Sequence, residues 1–312
     1  MRVIESIDFA DKFVNPILTI GNYDGLHVGH RKIIERIITK ARQLNGTPML
    51  MTFHPHPLTI LRPDKNIGSI TPLHVKKRLI EEAGIEVLFV IPFTRDFGSI
   101  KAEDFVDGLL VQRLGIKGLV VGYDFKFGKG GKGDVVYLAN CSNEYGFFFE
   151  IQGQITLDGE KVGSNRIRTM IQEGDVKKAA LHLARPYMVE GTVVRGEGRG
   201  RTMGLPTINL RTDFPLIPKG GVYVTEVEIE GQKFQSATNI GFNPTFNGQS
   251  LTIETHIMDF SRDLYDRKVA LHFLDRIRDE AKFAGIDELK ERIGRDMEAA
   301  RAYFRNLTRS NS

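Results

Sequence analysis

The sequence has a single cysteine, Cys141, and no hydrophobic run that approaches the ~20 residues needed to cross a bilayer. One cysteine excludes an intrachain disulfide framework and suits a reducing compartment. The N-terminal segment MRVIESIDFADKF carries acidic residues where a secretory signal would have its apolar core, so we expect no export. These absences predict a cytoplasmic protein that has no membrane partner.

The composition is that of a soluble globular chain. Its 312 residues are enough for two ordinary domains, and 41% of them are hydrophobic and 26% charged. The net charge of +4 fits either phosphate-bearing small ligands or weak nucleic-acid contact. Charge alone does not decide between these two partners.

The first part of the chain alternates strand-like and helix-like segments. Short apolar runs rich in Val, Ile, Leu and Phe lie at 16–21, 48–53, 86–93 and 118–122. Helical spacing of apolar residues appears between them, for example over 105–114. This alternation predicts βαβ units, and hence a Rossmann-like α/β domain with a mostly parallel sheet.

From about residue 187 the chain changes to β-rich segments separated by Gly, Pro and Asn. Glu230-Gly231 suits a tight hairpin turn. An amphipathic helix is predicted near the end, from apolar residues that recur on one face: Leu289, Ile293, Met297, Ala300 and Phe304. This pattern predicts an antiparallel β-barrel closed by a terminal helix. We place the boundary near 184–187, which gives domains 1–184 and 185–312.

Residues 21–30, GNYDGLHVGH, stand between a predicted strand and a predicted helix. The free N–H groups and positive dipole end of a first helical turn attract an anion, and glycines allow close backbone approach. His27 and His30 are three residues apart and face the same way on a helical turn, where both can donate to phosphate oxygens. We interpret Asp24 as a turn-forming residue.

Two other interpretations of the histidines remain open at this point. His-x-x-His could bind a metal, although no nearby Cys or third His completes a ligand set. The histidines could also be ordinary surface residues. The dinucleotide pattern Gly-x-Gly-x-x-Gly does not occur here.

The string GNYDGLHVGH resembles the His-x-Gly-His signature of the nucleotidyltransferases, and its flanks resemble prokaryotic bifunctional riboflavin kinase/FMN adenylyltransferases (FAD synthetases). The resemblance extends to the segments 52–57 (TFHPHP), 120–134 (VVGYDFKFGKGGKGD) and 162–176 (VGSNRIRTMIQEGDV). It implies attack of the FMN phosphate on the α-phosphorus of ATP, with His27 and His30 as catalytic residues. The other residues it implies are Gly21, Asn22, Gly29, Ser164 and Arg168 for ATP and His56, Asp124, Phe125 and Phe127 for flavin.

The segment 162–176 departs from this family's Ser-Ser-Thr-x-Ile-Arg motif at two positions. Gly163 and Asn165 stand where the family has Ser and Thr. The departure removes at least one hydroxyl that would contact the ATP phosphates. It leaves open an alternative function, a riboflavin kinase with weak or absent adenylyltransferase activity.

Residues 195–210, RGEGRGRTMGLPTINL, form a second unusual stretch. As a bare pattern, a basic glycine-rich loop binds any polyanion, including RNA, or simply connects two elements. If the end of the stretch is extended, Thr207 and Asn209 lie on one face, where their oxygens can ligate Mg²⁺. The pair can equally be the polar face of a strand.

This stretch resembles the riboflavin kinase motif Gly-x-Pro-Thr-Ala-Asn. The resemblance implies that Gly204, Thr207 and Asn209 bind ATP, the latter two also binding Mg²⁺, and that Arg278 covers the flavin. In LTIETHIM, periodicity alone sends Glu254 to solvent, whereas the resemblance makes it the general base for the ribityl 5′-hydroxyl.

The resemblances span nearly the whole chain. They imply an enzyme that makes FMN from riboflavin and FAD from FMN with ATP and Mg²⁺, and that has small-molecule partners and no nucleic-acid partner. The sequence does not determine the oligomeric state.

Overall fold

The computed structural model of the chain describes residues 1–64, 68–196, 206–245, 248–281 and 285–310. The chain divides into two compact units, Met1–Ser164 and Asn165–Ser312. The predicted boundary at 184/185 lies later in the chain, between a helix that ends at Leu183 and a strand that begins at Tyr187. That boundary stays a prediction. Among the described residues, no helix is both long and apolar enough to cross a membrane.

Strands and helices alternate through the first part of the chain. Its strands are β1 Arg2–Ile4, β2 Ile17–Ile20, β3 Pro48–His54, β4 Val87–Pro92, β5 Gly118–Gly122, β6 Phe148–Gln152, β7 Thr156–Leu157 and β8 Glu160–Lys161. Its α-helices are α1 Val28–Gln43, α2 Pro57–Leu61, α3 Leu73–Glu82, α4 Arg95–Gly98, α5 Ala102–Asp104 and α6 Val135–Tyr145. Two more helices come after β8: α7 Ser164–Glu173 and α8 Val176–Leu183.

Six of these strands form one parallel sheet in the order β1-β4-β3-β2-β5-β6. All four residues of β2, at the centre, are buried, as expected for a strand covered on both faces. The predicted parallel α/β fold is therefore confirmed. The short strand β1 and the edge strand β6 were not predicted, because neither has a long apolar run.

The predicted helical segment at 105–114 has an unusual form. After α5 the chain continues as a wider π-helix, Phe105–Arg113. Phe105, Val106, Leu109 and Leu110 are buried in the core beside the sheet. The wider turn still places these apolar residues on one face, so the core position follows from the pattern although the helix type does not.

The second part of the chain forms a closed antiparallel barrel, which confirms the predicted architecture. Its strands are β9 Tyr187–Val194, β10 Ile208–Arg211, β11 Gly221–Ile229, β12 Gln232–Thr245, β13 Gly248–Ile257 and β14 Lys268–Asp279. They close in the order β10-β13-β12-β11-β14-β9. Glu230 and Gly231, both at positive φ, form the predicted two-residue turn between β11 and β12.

A chain of hydroxyl groups lies inside the barrel among apolar side chains. Thr225 is hydrogen-bonded to Ser236 at 2.8 Å and to Thr238 at 2.7 Å, and Thr238 to Thr255 at 2.9 Å. All four residues are fully buried. Because each hydroxyl is paired, the chain does not carry the cost of a buried unsatisfied polar group. Thr255 points inward, so its neighbour Glu254 lies on the opposite face of β13.

The terminal helix α9, Ile286–Ser310, packs on the barrel through Ala300 and Phe304, both buried. A buried ion pair also joins it to the barrel. Arg278 on β14 donates from Nε at 3.0 Å and from Nη2 at 2.7 Å to the carboxylate of Asp296. The Asp296 side chain is only 6% exposed, so water screens this pair poorly.

We predict that Asp296→Ala will destabilise the second unit by about 3 kcal/mol, because it leaves the Arg278 charge buried without its partner. The matched control is Glu291→Ala, which removes an exposed ion pair with Arg295 in the same helix and should have a much smaller effect. Urea unfolding of both variants measures the difference. Equal destabilisation by the two variants would contradict the prediction.

Candidate functional site

The turn between β2 and α1 departs from ordinary backbone geometry at three positions. Tyr23, Gly25 and Leu26 have φ of 49°, 85° and 44°. Left-handed backbone is costly for residues other than glycine and persists where surrounding contacts enforce it. We call residues 21–27 the phosphate turn.

Asp24 supplies one of those contacts. Its carboxylate, 1% exposed, accepts the backbone N–H of Ile70 at 2.9 Å and of Thr71 at 3.1 Å, and the Ser69 hydroxyl at 3.0 Å. The Thr71 hydroxyl in turn accepts the N–H of Gly25 at 3.0 Å. Asp24 thus fastens the phosphate turn to the segment before α3, a longer-range role than the turn-forming one that the sequence suggested.

The carbonyl of Asn22 is held from two other elements. The Thr52 hydroxyl of β3 donates to it at 3.0 Å, and the Nζ of Lys76 in α3 donates at 2.7 Å. Both side chains are buried. The start of the phosphate turn is therefore fixed to the sheet on one side and to a helix on the other.

The two predicted histidines meet at the start of α1. Their rings stack with centroids 3.6 Å apart and planes at 16°. His27 is the N-cap of α1, and its Nδ1 accepts the backbone N–H of His30 at 3.3 Å. When the ring is neutral, this bond leaves its proton on Nε2, which can then donate to a ligand.

The pKa of His30 is perturbed by its surroundings. Burial, followed by the nearby charges of His27 and Lys76, holds the pKa of His30 well below its usual value. Its Nδ1 is out of contact with solvent and has no hydrogen-bond partner among the described residues. A neutral imidazole that lines a cavity beside a helix N-terminus can donate an N–H to a phosphate group.

A cavity of about 650 Å³ opens beside the phosphate turn, within the first unit. Most of the N-terminal residues predicted as site residues line it: Gly21, Asn22, His27, Gly29, His30, Asp124, Phe125, Phe127 and Ser164. Its volume lies in the range of pockets for small ligands. The fold thus gathers at one place residues that are widely separated in the sequence.

Aromatic rings cover one side of this cavity. Phe125 and Phe127 stack at 5.6 Å, and Phe53, Phe93 and Phe97 each lie 5.7 Å from the other two. The last three were not among the residues predicted from the sequence. The sequence signal for them was weak: Phe53 lies near the carboxyl end of β3, Phe93 directly follows β4, and Phe97 lies in the short helix α4.

The segment around 163–168 has contacts that bear on its two sequence departures. The Ser164 hydroxyl donates to the Asp24 carbonyl at 2.8 Å, which ties this segment to the phosphate turn. A Cβ built at Gly163 meets no atom within 4 Å, so a serine would fit there. The Asn165 side-chain oxygen accepts the Arg168 Nη1 at 2.8 Å, so asparagine orients the arginine of the motif.

Two predicted ligand residues have structural contacts of their own. His56 caps α2, its Nδ1 accepting the Leu58 N–H at 3.2 Å, and its neighbour Pro57 rather than His56 lines the cavity. Arg168 is buried within α7. Their predicted contacts with flavin and ATP stay predictions.

In the barrel, strand pairing brings the remaining predicted residues together. Asn209 on β10 lies directly opposite Glu254 on β13, and Glu254 lies opposite Asn239 on β12. Directly opposed residues share a face and have Cβ atoms about 4.5–5.5 Å apart. All three are half-buried. Thr207 precedes Asn209 by two residues, the spacing that puts two side chains on one face of an extended chain. Asn239 was missed because only the register places it beside Glu254.

Gly196 and Asn209 lie in very close contact. A Cβ at position 196 would lie 2.1 Å from the Asn209 Nδ2, so a side chain there would displace the Asn209 amide. The basic loop thus begins directly against the candidate metal ligand. Gly204, predicted to bind ATP, lies outside the described residues. Arg278, predicted to cover the flavin, makes the ion pair with Asp296.

Comparison with known proteins gives matches in both units. The family model described as FAD synthetase matches residues 11–166, and the one described as riboflavin kinase matches residues 183–304. The bifunctional riboflavin kinase/FMN adenylyltransferase of Bacillus subtilis is 36% identical over 296 residues, which is 93% of each chain. The Escherichia coli K12 protein of the same description is 36% identical over 289 residues, 92% of each chain.

A solved structure from Streptococcus pneumoniae, described as a macrolide-efflux protein, is also similar. It is 31% identical, has a TM-score of 0.87, and covers 96% of this chain and 98% of its own.

The lowered pKa of His30 predicts a pH dependence of stability. Below the unfolded-state pKa of about 6.5 the unfolded chain binds a proton that folded His30 does not, so stability falls as the pH drops. We expect that His30→Asn will lose less unfolding free energy between pH 7 and pH 5.5 than the unmodified chain. Chemical unfolding at several pH values measures this slope.

The control is His74→Asn, which replaces an exposed histidine and should leave the slope close to that of the unmodified chain. An unchanged slope in His30→Asn would contradict the prediction.

Proposed function

The chain belongs to the bifunctional riboflavin kinase/FMN adenylyltransferase family, and from this premise we propose how its two sites divide the work. It phosphorylates riboflavin to FMN and transfers the adenylyl group of ATP to FMN, giving FAD and pyrophosphate. The alternative of a kinase with feeble adenylyl transfer is not favoured, because the FAD synthetase model matches the first unit.

We assign adenylyl transfer to the cavity beside the phosphate turn. An FMN phosphate oxygen attacks the α-phosphorus of ATP, and the bond from that phosphorus to the bridging oxygen of pyrophosphate breaks. The attacking group is already an anion and needs no base, so the site must position the reactants and neutralise charge. His27 Nε2, His30 and the backbone N–H groups at the start of α1 carry out that task. Gly21 and Gly29 have no Cβ and permit close approach of the phosphates, and ATP contact by Asn22 stays a prediction.

The aromatic side of the same cavity is the proposed flavin site. An isoalloxazine ring is flat and largely apolar, and it stacks favourably on aromatic side chains. Phe125 and Phe127 were predicted for this role, and Phe53, Phe93 and Phe97 extend the surface. Asp124, which lines the cavity beside them, lies 3.9 Å from Lys161.

We assign riboflavin phosphorylation to the barrel row of Asn209, Glu254 and Asn239. Glu254 accepts the proton of the ribityl 5′-hydroxyl as that oxygen attacks the γ-phosphorus of ATP and ADP leaves. A neutral alcohol is a weak nucleophile, so this half requires a positioned carboxylate. The observation that carries the assignment is the direct pairing of Asn209 with Glu254 across two strands.

The oxygen donors of Thr207 and Asn209 suit Mg²⁺, which prefers oxygen ligands and retains waters. When bound with ATP, the ion would neutralise charge on the phosphates. The proposed fit of Mg²⁺ to this site rests on the oxygen donors of Thr207 and Asn209 and on the close contact of Gly196 with the Asn209 amide. ATP binding by Ser164, Arg168 and Gly204, flavin contacts of His56 and Arg278, and the cytoplasmic location stay predictions.

The two assignments predict separable losses of activity. Glu254→Gln should lower FMN formation from riboflavin by about 10²-fold, because the base is lost, and leave FAD formation from supplied FMN unchanged. His30→Ala should do the opposite, with a loss of about 10²-fold in FAD formation. Chromatographic separation of the flavins after incubation with ATP measures both activities.

Glu226→Gln is the matched control, since Glu226 is another half-buried glutamate of the barrel, paired with Lys233; it should spare both activities. Parallel loss of FMN and FAD formation in either test variant would contradict separate sites. Absence of both products with the unmodified chain would overturn the proposed function itself.

The open space at Gly163 predicts a gain of function. Gly163→Ser would place a hydroxyl at the edge of the cavity, where it can donate to a phosphate oxygen, so the KM for ATP in adenylyl transfer should fall several-fold. Gly153→Ser is the control, because Gly153 lines the same cavity and is equally unobstructed. Steady-state kinetics of FAD formation compare them, and an equal KM in the two variants would refute the expectation.

A further inference from the structure

Lys76 occupies a position where the sequence pattern of α3 calls for an apolar residue. The buried face of this helix consists of Val75, Lys76, Leu79 and Ile80. Lys76 is only 5% exposed. Lysine is almost never buried unless it is paired, because removing an ammonium from water is costly. A lysine in this stripe therefore requires a specific contact that an apolar residue could not make.

That contact is the phosphate turn. The Lys76 Nζ donates to the Asn22 carbonyl at 2.7 Å, the same oxygen that accepts the Thr52 hydroxyl. In a trans peptide the C=O and N–H groups point in opposite directions. Holding the Asn22 oxygen therefore also sets the direction of the Tyr23 N–H, at the first left-handed residue of the turn.

We propose that Lys76 is a positioning residue for adenylyl transfer: its ammonium holds the Asn22 carbonyl and, through it, the turn that sets His27 and His30 beside the cavity. The inference rests on the assignment of adenylyl transfer to this site. Neither family motif in the sequence includes Lys76, and none of the catalytic steps above uses it.

The charge of Lys76 also acts on the histidine pair. The groups that face His30 are His27, whose ring stacks on it, Tyr23, whose ring centroid is 4.7 Å away, and Lys76 in α3. The Lys76 charge contributes to the lowered pKa of His30, after burial and His27. Asp24 favours the charged form of Lys76, although burial lowers the pKa of its ammonium. Lys76 thus helps to keep His30 neutral as well as placed.

The test compares Lys76→Met with Lys77→Met. Methionine retains the unbranched chain and removes the donor and the charge, whereas Lys77 is the adjacent, more exposed lysine that pairs with Glu5 at 2.7 Å. In Lys76→Met, the kcat for FAD formation should fall at least about tenfold, since small misplacements of reacting groups cost up to about 10²-fold. FMN formation should remain within twofold of the control.

A second readout separates positioning from plain structural support. In a histidine-labelled sample followed by NMR, the pKa of His30 should be higher in Lys76→Met than in Lys77→Met, because a nearby positive charge is lost. Lys76→Arg, which retains the charge and a donor, should recover at least part of the FAD formation.

FAD formation in Lys76→Met within twofold of Lys77→Met, or an unchanged His30 pKa, would overturn the inference. If Lys76→Met loses both activities through misfolding, Lys76→Arg decides: recovery of FAD formation supports the inference, and no recovery overturns it. Failure of the proposed function is distinct, because the unmodified chain would then form no FAD from FMN and ATP.

Discussion

The buried carboxylate of Asp24 accepts two backbone N–H groups from residues 70 and 71, and the geometry of the first site depends on that anchor. The phosphate turn contains two non-glycine residues in left-handed conformation, which an isolated segment would not retain. Hydrogen bonds from Ser69 to Asp24 and from Thr52 and Lys76 to the Asn22 carbonyl strengthen this attachment. With the turn fixed, α1 begins at a defined place and its free N–H groups and two histidines face the cavity.

The barrel prepares its site by another physical route. No strained turn is required, because strand register alone places Asn209, Glu254 and Asn239 in one transverse row. The inward-facing residues of the same strands, such as Thr255 and Thr238, join the interior hydroxyl chain. A shift of one residue would turn Glu254 inward, so the paired hydroxyls help to specify the register that places this proposed base.

The two routes match the two nucleophiles. A phosphate that is already charged requires donors and positive potential, which a helix N-terminus and neutral imidazoles supply. An alcohol requires removal of a proton, which a carboxylate on a rigid strand supplies. Each unit thus has the kind of site that the reaction proposed for it needs. Lys76 and the aromatic residues around the first site act, in this proposal, on the position of the turn and on the binding of the flavin ring.

From the sequence alone we could predict the two architectures, the Glu230-Gly231 hairpin and the family, and could select the candidate residues His27, His30, Thr207, Asn209 and Glu254. The architectures and the hairpin follow from periodicity and turn chemistry, whereas the family and the role of Glu254 follow from the resemblance of short motifs. Other features became visible only in the tertiary structure. They are the π-helix at 105–113, the anchoring by Asp24, the burial of Lys76, the aromatic surface of Phe53, Phe93 and Phe97, and the pairing of Asn239 with Glu254. The π-helix is a local change of hydrogen bonding that apolar spacing does not distinguish from an α-helix. The other features depend on contacts between residues far apart in the chain, which are set by packing and strand register and not by local sequence patterns.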